Sequence, residues 1–315
     1  MEKSYSCDRA SELLQHFVTK YRHVLLGASA VGVFAIKLAP HVAPQWYYPT
    51  VYQLWDQDGP VQLPLHHGNL FQEVSGKFGL NDAGKFKVFP LYGFYDPFSA
   101  GLSWLPGGVV LGVPSYFLNA SKEDVQNKQI TVSGKLLNFA SEEGKQFCNS
   151  LVFSDSALKF AIGRELSMVK SNAALYQATL PPVCLVGTYA GILYSKQLLG
   201  LFQIPFRFRV ALNILGGTIG LVVYYLLSDT MEHYFDHKAD KVCAKLGREY
   251  AQGGMEFYDK LLLRNQALRV LLGRKGQKMY TPYGNVRPKS MFFMKHPQLT
   301  DRRRKVAEIY HFDFA

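Results

Sequence analysis

FAIGRELSMVKSNAALYQATLPP (residues 160–182) and HYFDHKADKVCAKLG (residues 233–247) flank the part of the chain that decides its architecture. Between them, residues 179–195 and 210–228 form two runs without a single charge. Each comes close to the roughly 20 apolar residues that a helix needs to cross a bilayer core of about 30 Å. Pro181 and Pro182 fall in the first turn of the earlier run, where a missing N–H costs least. Gly187 and Gly191 in one run, and Gly216 and Gly220 in the other, repeat at four-residue spacing, which allows two helix backbones to approach closely. The pattern predicts a hairpin of two packed membrane helices joined by residues 196–209. A shorter apolar run at 24–39 contains Lys37, which can snorkel from near a helix end, and it reads as an N-terminal anchor. The alternative for all three is burial inside a soluble protein.

Working outward, the 315 residues are 48% hydrophobic, 14% aromatic and 19% charged, a composition that excludes general disorder. The net charge of +11 fits an anionic membrane surface or an acidic partner; no nucleic-acid module accompanies it, so no nucleic acid is expected as a partner. Cys7, Cys148, Cys184 and Cys243 lie far apart, with no C-x-x-C pair, and suggest neither a disulfide framework nor a thiolate zinc site. Acids at Glu2, Asp8 and Glu12 argue against a cleaved leader. The hairpin tip carries Lys196, Arg207 and Arg209 with no acid, and the tail before the first run carries Lys3, Arg9, Lys20 and Arg22, so both are expected on the inside of the membrane. That assignment divides the chain into a tail and anchor (1–43), a first half-domain (44–175), the membrane hairpin (176–228) and a second half-domain (229–315). The two halves then share one side of the bilayer.

Within the halves, Leu70, Val74 and Phe78 have helical spacing, stopped by Gly79, and residues 85–90 read as a strand. Leu105-Pro106-Gly107-Gly108 reads as a turn into a second strand at 109–113, the two strands forming a hairpin-like unit whose second member is an edge able to take an extended peptide. Ser154 or Asp155 can cap a helix running through residue 174 into the first membrane run, and residues 231–250 read as helix again.

This order of elements resembles the M48 zinc metallopeptidases. Ser99-Ala100 and Leu105-Pro106-Gly107-Gly108 look like that family's N-A-F-A-x-P-G-G turn. Arg164-Glu165-Leu166-Ser167-Met168 falls where H-E-x-x-H belongs, Asp236-His237-Lys238-Ala239-Asp240 resembles E-x-x-A-D, and His296-Pro297 with Arg302 and Arg303 resembles a late H-P-x-x-x-x-R. The resemblance implies an α+β, zincin-like domain interrupted by the membrane hairpin. It fails where zinc would bind, because catalytic zinc needs two imidazoles one turn apart and a carboxylate. Arg164 stands at the first imidazole position and repels a cation; Met168 at the second is a poor zinc ligand. Glu165 keeps the general-base place without a metal to serve, and Asp236 stands one methylene short of the usual glutamate. The reading is a pseudo-peptidase with a degenerate site of Arg164, Glu165, Met168, Asp236 and Asp240, no cofactor and no metal. Its carboxylates need a new counter-ion, which predicts that the Arg164 guanidinium reaches Asp236.

His233 and His237 share a helix face and keep an active metallopeptidase with an unusual metal site open as an alternative. The run Arg302-Arg303-Arg304-Lys305 keeps open a basic membrane-surface binder. As a whole the chain resembles the transmembrane protein 177 family of the mitochondrial inner membrane. That resemblance implies a non-catalytic membrane scaffold or assembly factor in cytochrome c oxidase biogenesis. Its implied partners are subunit II, the chaperone that handles it and the lipid bilayer, and its main domain would face the intermembrane space.

Overall fold

The computed structural model describes residues 2–80, 83–288 and 294–314, with the side chains of residues 2–19, Ala83 and Phe206 outside that description. Lys3, Arg9 and Cys7 are therefore outside it as side chains. In chain order the elements are α1 (Glu2–Val42), α2 (Pro44–Tyr52), a small ribbon of β1 (Trp55–Asp56) and β2 (Gly59–Pro60), and α3 (Leu65–Lys77). Then come β3 (Phe86–Leu91), β4 (Phe98–Gly101), β5 (Val109–Pro114), α4 (Lys122–Gln126), a second ribbon of β6 (Thr131–Val132) and β7 (Lys135–Leu136), and α5 (Glu142–Ser150). The remainder is helical: α6 (Asp155–Lys170), α7 (Ala173–Leu198), α8 (Phe206–Ala244), α9 (Arg248–Leu271), α10 (Arg274–Met279) and α11 (Leu299–Asp313).

The chain divides into two units, one of residues 1–39 and 175–228 and one of residues 40–174 and 229–315. The first holds the apolar runs. The segments Lys20–Val42, Ala173–Leu198 and Arg207–Ala244 are long and apolar enough to cross a membrane.

In the second unit, hydrophobic burial gathers α3, α6, α9, α11 and the sheet around one core. Val74, Phe160, Leu166, Tyr258 and Val306 are all buried in it. Burying side chains of this size contributes about 1.5–3 kcal/mol each. Two glycines let α9 lie close on α6: a Cβ on Gly253 would stand 2.0 Å from the Ser156 carbonyl oxygen, and one on Gly254 would stand 2.6 Å from the Phe160 ring. Ser154 caps α6 by accepting from the Ala157 amide at 3.2 Å.

The sheet differs from the sequence expectation in three ways. The strand at 109–114 is central, in the order β3-β5-β4, and is not an edge. Its partner β3 runs parallel to it, so the two form no hairpin. Ser99-Ala100, read as part of a turn, belongs to β4, antiparallel to β5. Two helix boundaries also differ. Asn172, at φ 53°, separates α6 from α7, and α8 ends at Ala244 before α9 restarts at Arg248 beyond Gly247.

A buried ion-pair cluster as the candidate functional site

Four helices and one strand deliver charged and polar groups to one buried place. α6 supplies Arg164 and Glu165. α8 supplies Asp236 and Asp240, which lie four residues apart and so on one helix face. α9 supplies Tyr258, α11 supplies Arg302, and β4 supplies Ser99. Asp236 is 0% exposed and Asp240 2%, so neither carboxylate is left to water.

Arg164 is the hub. Its Nη2 donates to Asp236 Oδ1, its Nε to Asp240 Oδ1 at 3.2 Å, and its Nη1 to Glu165 Oε1 at 3.0 Å. The expected contact with Asp236 is therefore present, and it is one of three. Arg302 clamps Asp240 with both arms, Nε to Oδ2 and Nη2 to Oδ1, each at 2.7 Å, and its Nη1 lies 3.4 Å from Asp236 Oδ1. Tyr258 donates its hydroxyl to Asp240 Oδ1 at 2.6 Å, and Ser99 donates to Glu165 Oε2 at 2.9 Å. The His296 ring Nδ1 sits 2.9 Å from Asp236 Oδ2.

Each oxygen of Asp236 and Asp240 thus has at least one partner that donates or can donate a hydrogen, the condition under which buried carboxylates are tolerated. Burial alone would lower the Arg164 pKa, but Asp236, Glu165 and Asp240 outweigh it and hold the guanidinium well above its ordinary value. For Glu165 the balance goes the other way: burial raises its pKa, and Arg164 and Ser99 offset only part of that. Burial also pushes the Tyr258 hydroxyl up, so it stays a donor. Two guanidiniums against three carboxylates leave one carboxylate without a matching cation, and a proton on Glu165 would supply that charge.

These side chains do not fit a zinc ion. The lone pairs that would ligate it are committed to guanidinium and hydroxyl donors, and a permanent cation stands among them. Met168 is half-buried one turn along α6. His233 Nε2 meets the Met294 carbonyl oxygen at 2.6 Å. His237 Nε2 lies 3.0 Å from Lys305 Nζ and 3.6 Å from Asp301 Oδ2. The two imidazoles serve different partners despite sharing a face.

The basic run on α11 also differs from a free cationic patch. Arg302 is inside the cluster, Arg303 pairs with Asp259 at 3.1 Å, Arg304 with Asp301, and Lys305 with Asp301 at 3.1 Å. Among the hairpin glycines, Gly216 and Gly220 do receive the opposite helix, through Ile192 and Thr188. A Cβ on Gly187 or Gly191 would meet nothing within 4 Å, so close backbone approach is not their role. The sequence reading missed Tyr258 and Ser99 as members of the site. The six-residue spacing from His296 to Arg302 was the one available sign that Arg302 faces inward.

Comparison with known proteins supports the M48-like resemblance through the fold. The crystal structure of S. mikatae Ste24p matches with a TM-score of 0.51 at 13% identity, over 97% of this chain and 67% of that one. The sequence profile of the family described as Transmembrane protein 177 matches residues 118–312. Transmembrane protein 177 from Danio rerio is 37% identical over 295 residues, covering 93% of this chain and 95% of the relative. The protein of that name from Homo sapiens is 36% identical over 294 residues, 93% of this chain and 94% of the relative. With a profile covering more than half its length and relatives of this closeness over nearly all of it, the chain belongs to the Transmembrane protein 177 family.

Proposed function

We propose that this chain is a non-catalytic membrane scaffold. Its peptidase-like core is held by guanidinium–carboxylate pairs in place of a metal, and it supports the biogenesis and stability of cytochrome c oxidase subunit II together with that subunit's assembly chaperone. The observation that carries the non-catalytic part is the three-way contact of Arg164 with Asp236, Asp240 and Glu165. A guanidinium so placed fills the space a dication would need and repels one that approached. The partners, the mitochondrial inner membrane and a main domain in the intermembrane space follow from the family resemblance. The orientation is further supported by the basic, acid-free tip at 196–209.

The two other readings have less support. A metal site at His233 and His237 would first have to displace the Met294 carbonyl and the Lys305 and Asp301 contacts. A basic surface patch on α11 is largely neutralised by Asp259, Asp301 and Glu308. Proximity labelling from the C-terminus of the intact protein in mitochondria tests the proposal. Enrichment of subunit II and its chaperone over other inner-membrane proteins is expected; labelling of matrix proteins in their place would contradict both partner and orientation.

A further inference from the structure

The hairpin contains a second feature, independent of the ion-pair cluster. Between α7 and α8 runs a groove of about 570 Å³, with Gly187, Gly191, Gly216 and Gly220 along it. Val183 and Leu227 line one end, and Ser195 and Lys196 the other. From residue 183 to residue 196 it extends about 20 Å at 1.5 Å per helical residue. Charge is confined to the tip end. Lys196 Nζ lies there beside Asn213 Oδ1. Arg209 is four residues before Asn213 and seven before Gly216, so it continues the same face of α8 towards the tip. Its Nε is enclosed and has no hydrogen-bond partner among the described residues. Arg207 stands exposed nearby in sequence, and residues 196–209 hold no acid.

A slot that is apolar along its length and cationic at one end has the shape and polarity of an anionic amphiphile. We propose that this groove binds one anionic phospholipid, its acyl chain lying along the glycine floor and its phosphate received by Lys196 and Arg209. The dimensions favour a chain over a helix. A helix is about 10 Å across, much wider than an extended acyl chain, which can lie along a slot of this length. One leaflet of the bilayer core is about 15 Å deep, which the groove spans. Gly187 and Gly191, open where a Cβ would be, are what keep the floor clear. Lys196, held to the neutral Asn213 amide oxygen, gains an anionic acceptor when a phosphate oxygen arrives.

The test uses the full chain in a neutral maltoside detergent, incubated with dioleoyl phosphatidylglycerol or dioleoyl phosphatidylcholine, with retained lipid read by native mass spectrometry. Phosphatidylglycerol should be retained in preference, at one molecule per chain, and inorganic phosphate alone should not. Lys196→Gln and Arg209→Gln should each weaken retention about fivefold, the effect of one cation near an anionic headgroup. Gly187→Leu with Gly191→Leu fills the floor and should abolish retention of both lipids while leaving the melting profile intact. Equal retention of the two lipids overturns the proposal. So does retention undiminished by the leucine pair, or by the two glutamines should the leucine pair fail to fold. A stable dimer that the leucine pair dissolves would instead assign the groove to a second copy.

Discussion

Arg164 carries a permanent charge inside a core, and its neighbours show what that requires: three carboxylates of its own, and a second arginine to satisfy what remains. Removing one partner of a buried pair typically costs 3–5 kcal/mol, against less than about 1 kcal/mol for an exposed pair. Arg164→Ala is therefore expected to destabilise the fold by about 3–5 kcal/mol, while Arg303→Ala, which frees only exposed Asp259, should cost under about 1 kcal/mol. Equal small losses in thermal unfolding of the two variants would mean that the cluster contributes little. Glu165 gives a second handle. Its folded-state pKa lies above the ordinary 4.5, so the folded protein keeps the proton that the unfolded chain has released. Stability is lost as pH rises from about 4.5 through the folded value, and Glu165→Gln removes that loss. The melting temperature of the glutamine variant relative to the parent should thus be more favourable at pH 7 than at pH 4.5; the opposite trend would show a carboxyl that is stabilised when ionised. The Arg164–Asp236 contact was legible in the sequence because a carboxylate pair without a metal needs a cation, and Arg164 stands on α6 where the first ligand of the resembling motif would be. Tyr258 was not legible, since nothing in the spacing of α9 distinguishes a tyrosine that donates to Asp240 from one that merely packs.

At the scale of elements, the helices were legible through their periodicity, and the sheet was not. The six residues of β5 are all buried, and a continuous apolar run reads the same at the centre of a sheet as at its edge. β4 is only four residues long and follows Pro97, so its sequence resembles a turn. The break between α6 and α7 depends on one residue in the left-handed region, a conformation that asparagine accepts and β-branched residues resist. Asn172→Val should cost about 1–2 kcal/mol more than Asn172→Gly, both having lost the hydrogen bond from Trp104 Nε1. Equal melting temperatures for the two would place the residue outside that region. The hairpin tip makes a topological prediction. Protease added to the outward face of the membrane should digest residues 229–315 and spare 196–209, and the reverse pattern would invert the orientation.

For the molecule as a whole, α8 carries an apolar run and, further along, Asp236 and Asp240. The three apolar helices were legible because membrane-length runs are properties of sequence alone. The meeting of residues near 160 with those near 302 depends on tertiary contacts, ion pairs among them, that no spacing encodes. The Arg164 guanidinium fills the place among Asp236, Asp240 and Glu165 that a dication would need, and metal content checks this. Full-length protein, purified without chelator, supplied with zinc and then freed of excess, should hold far less than one zinc per chain, and its melting temperature should not respond to zinc or chelator. Stoichiometric zinc that stabilises the fold, and that is lost on changing His233 or His237, would instead show a metal site built on those imidazoles.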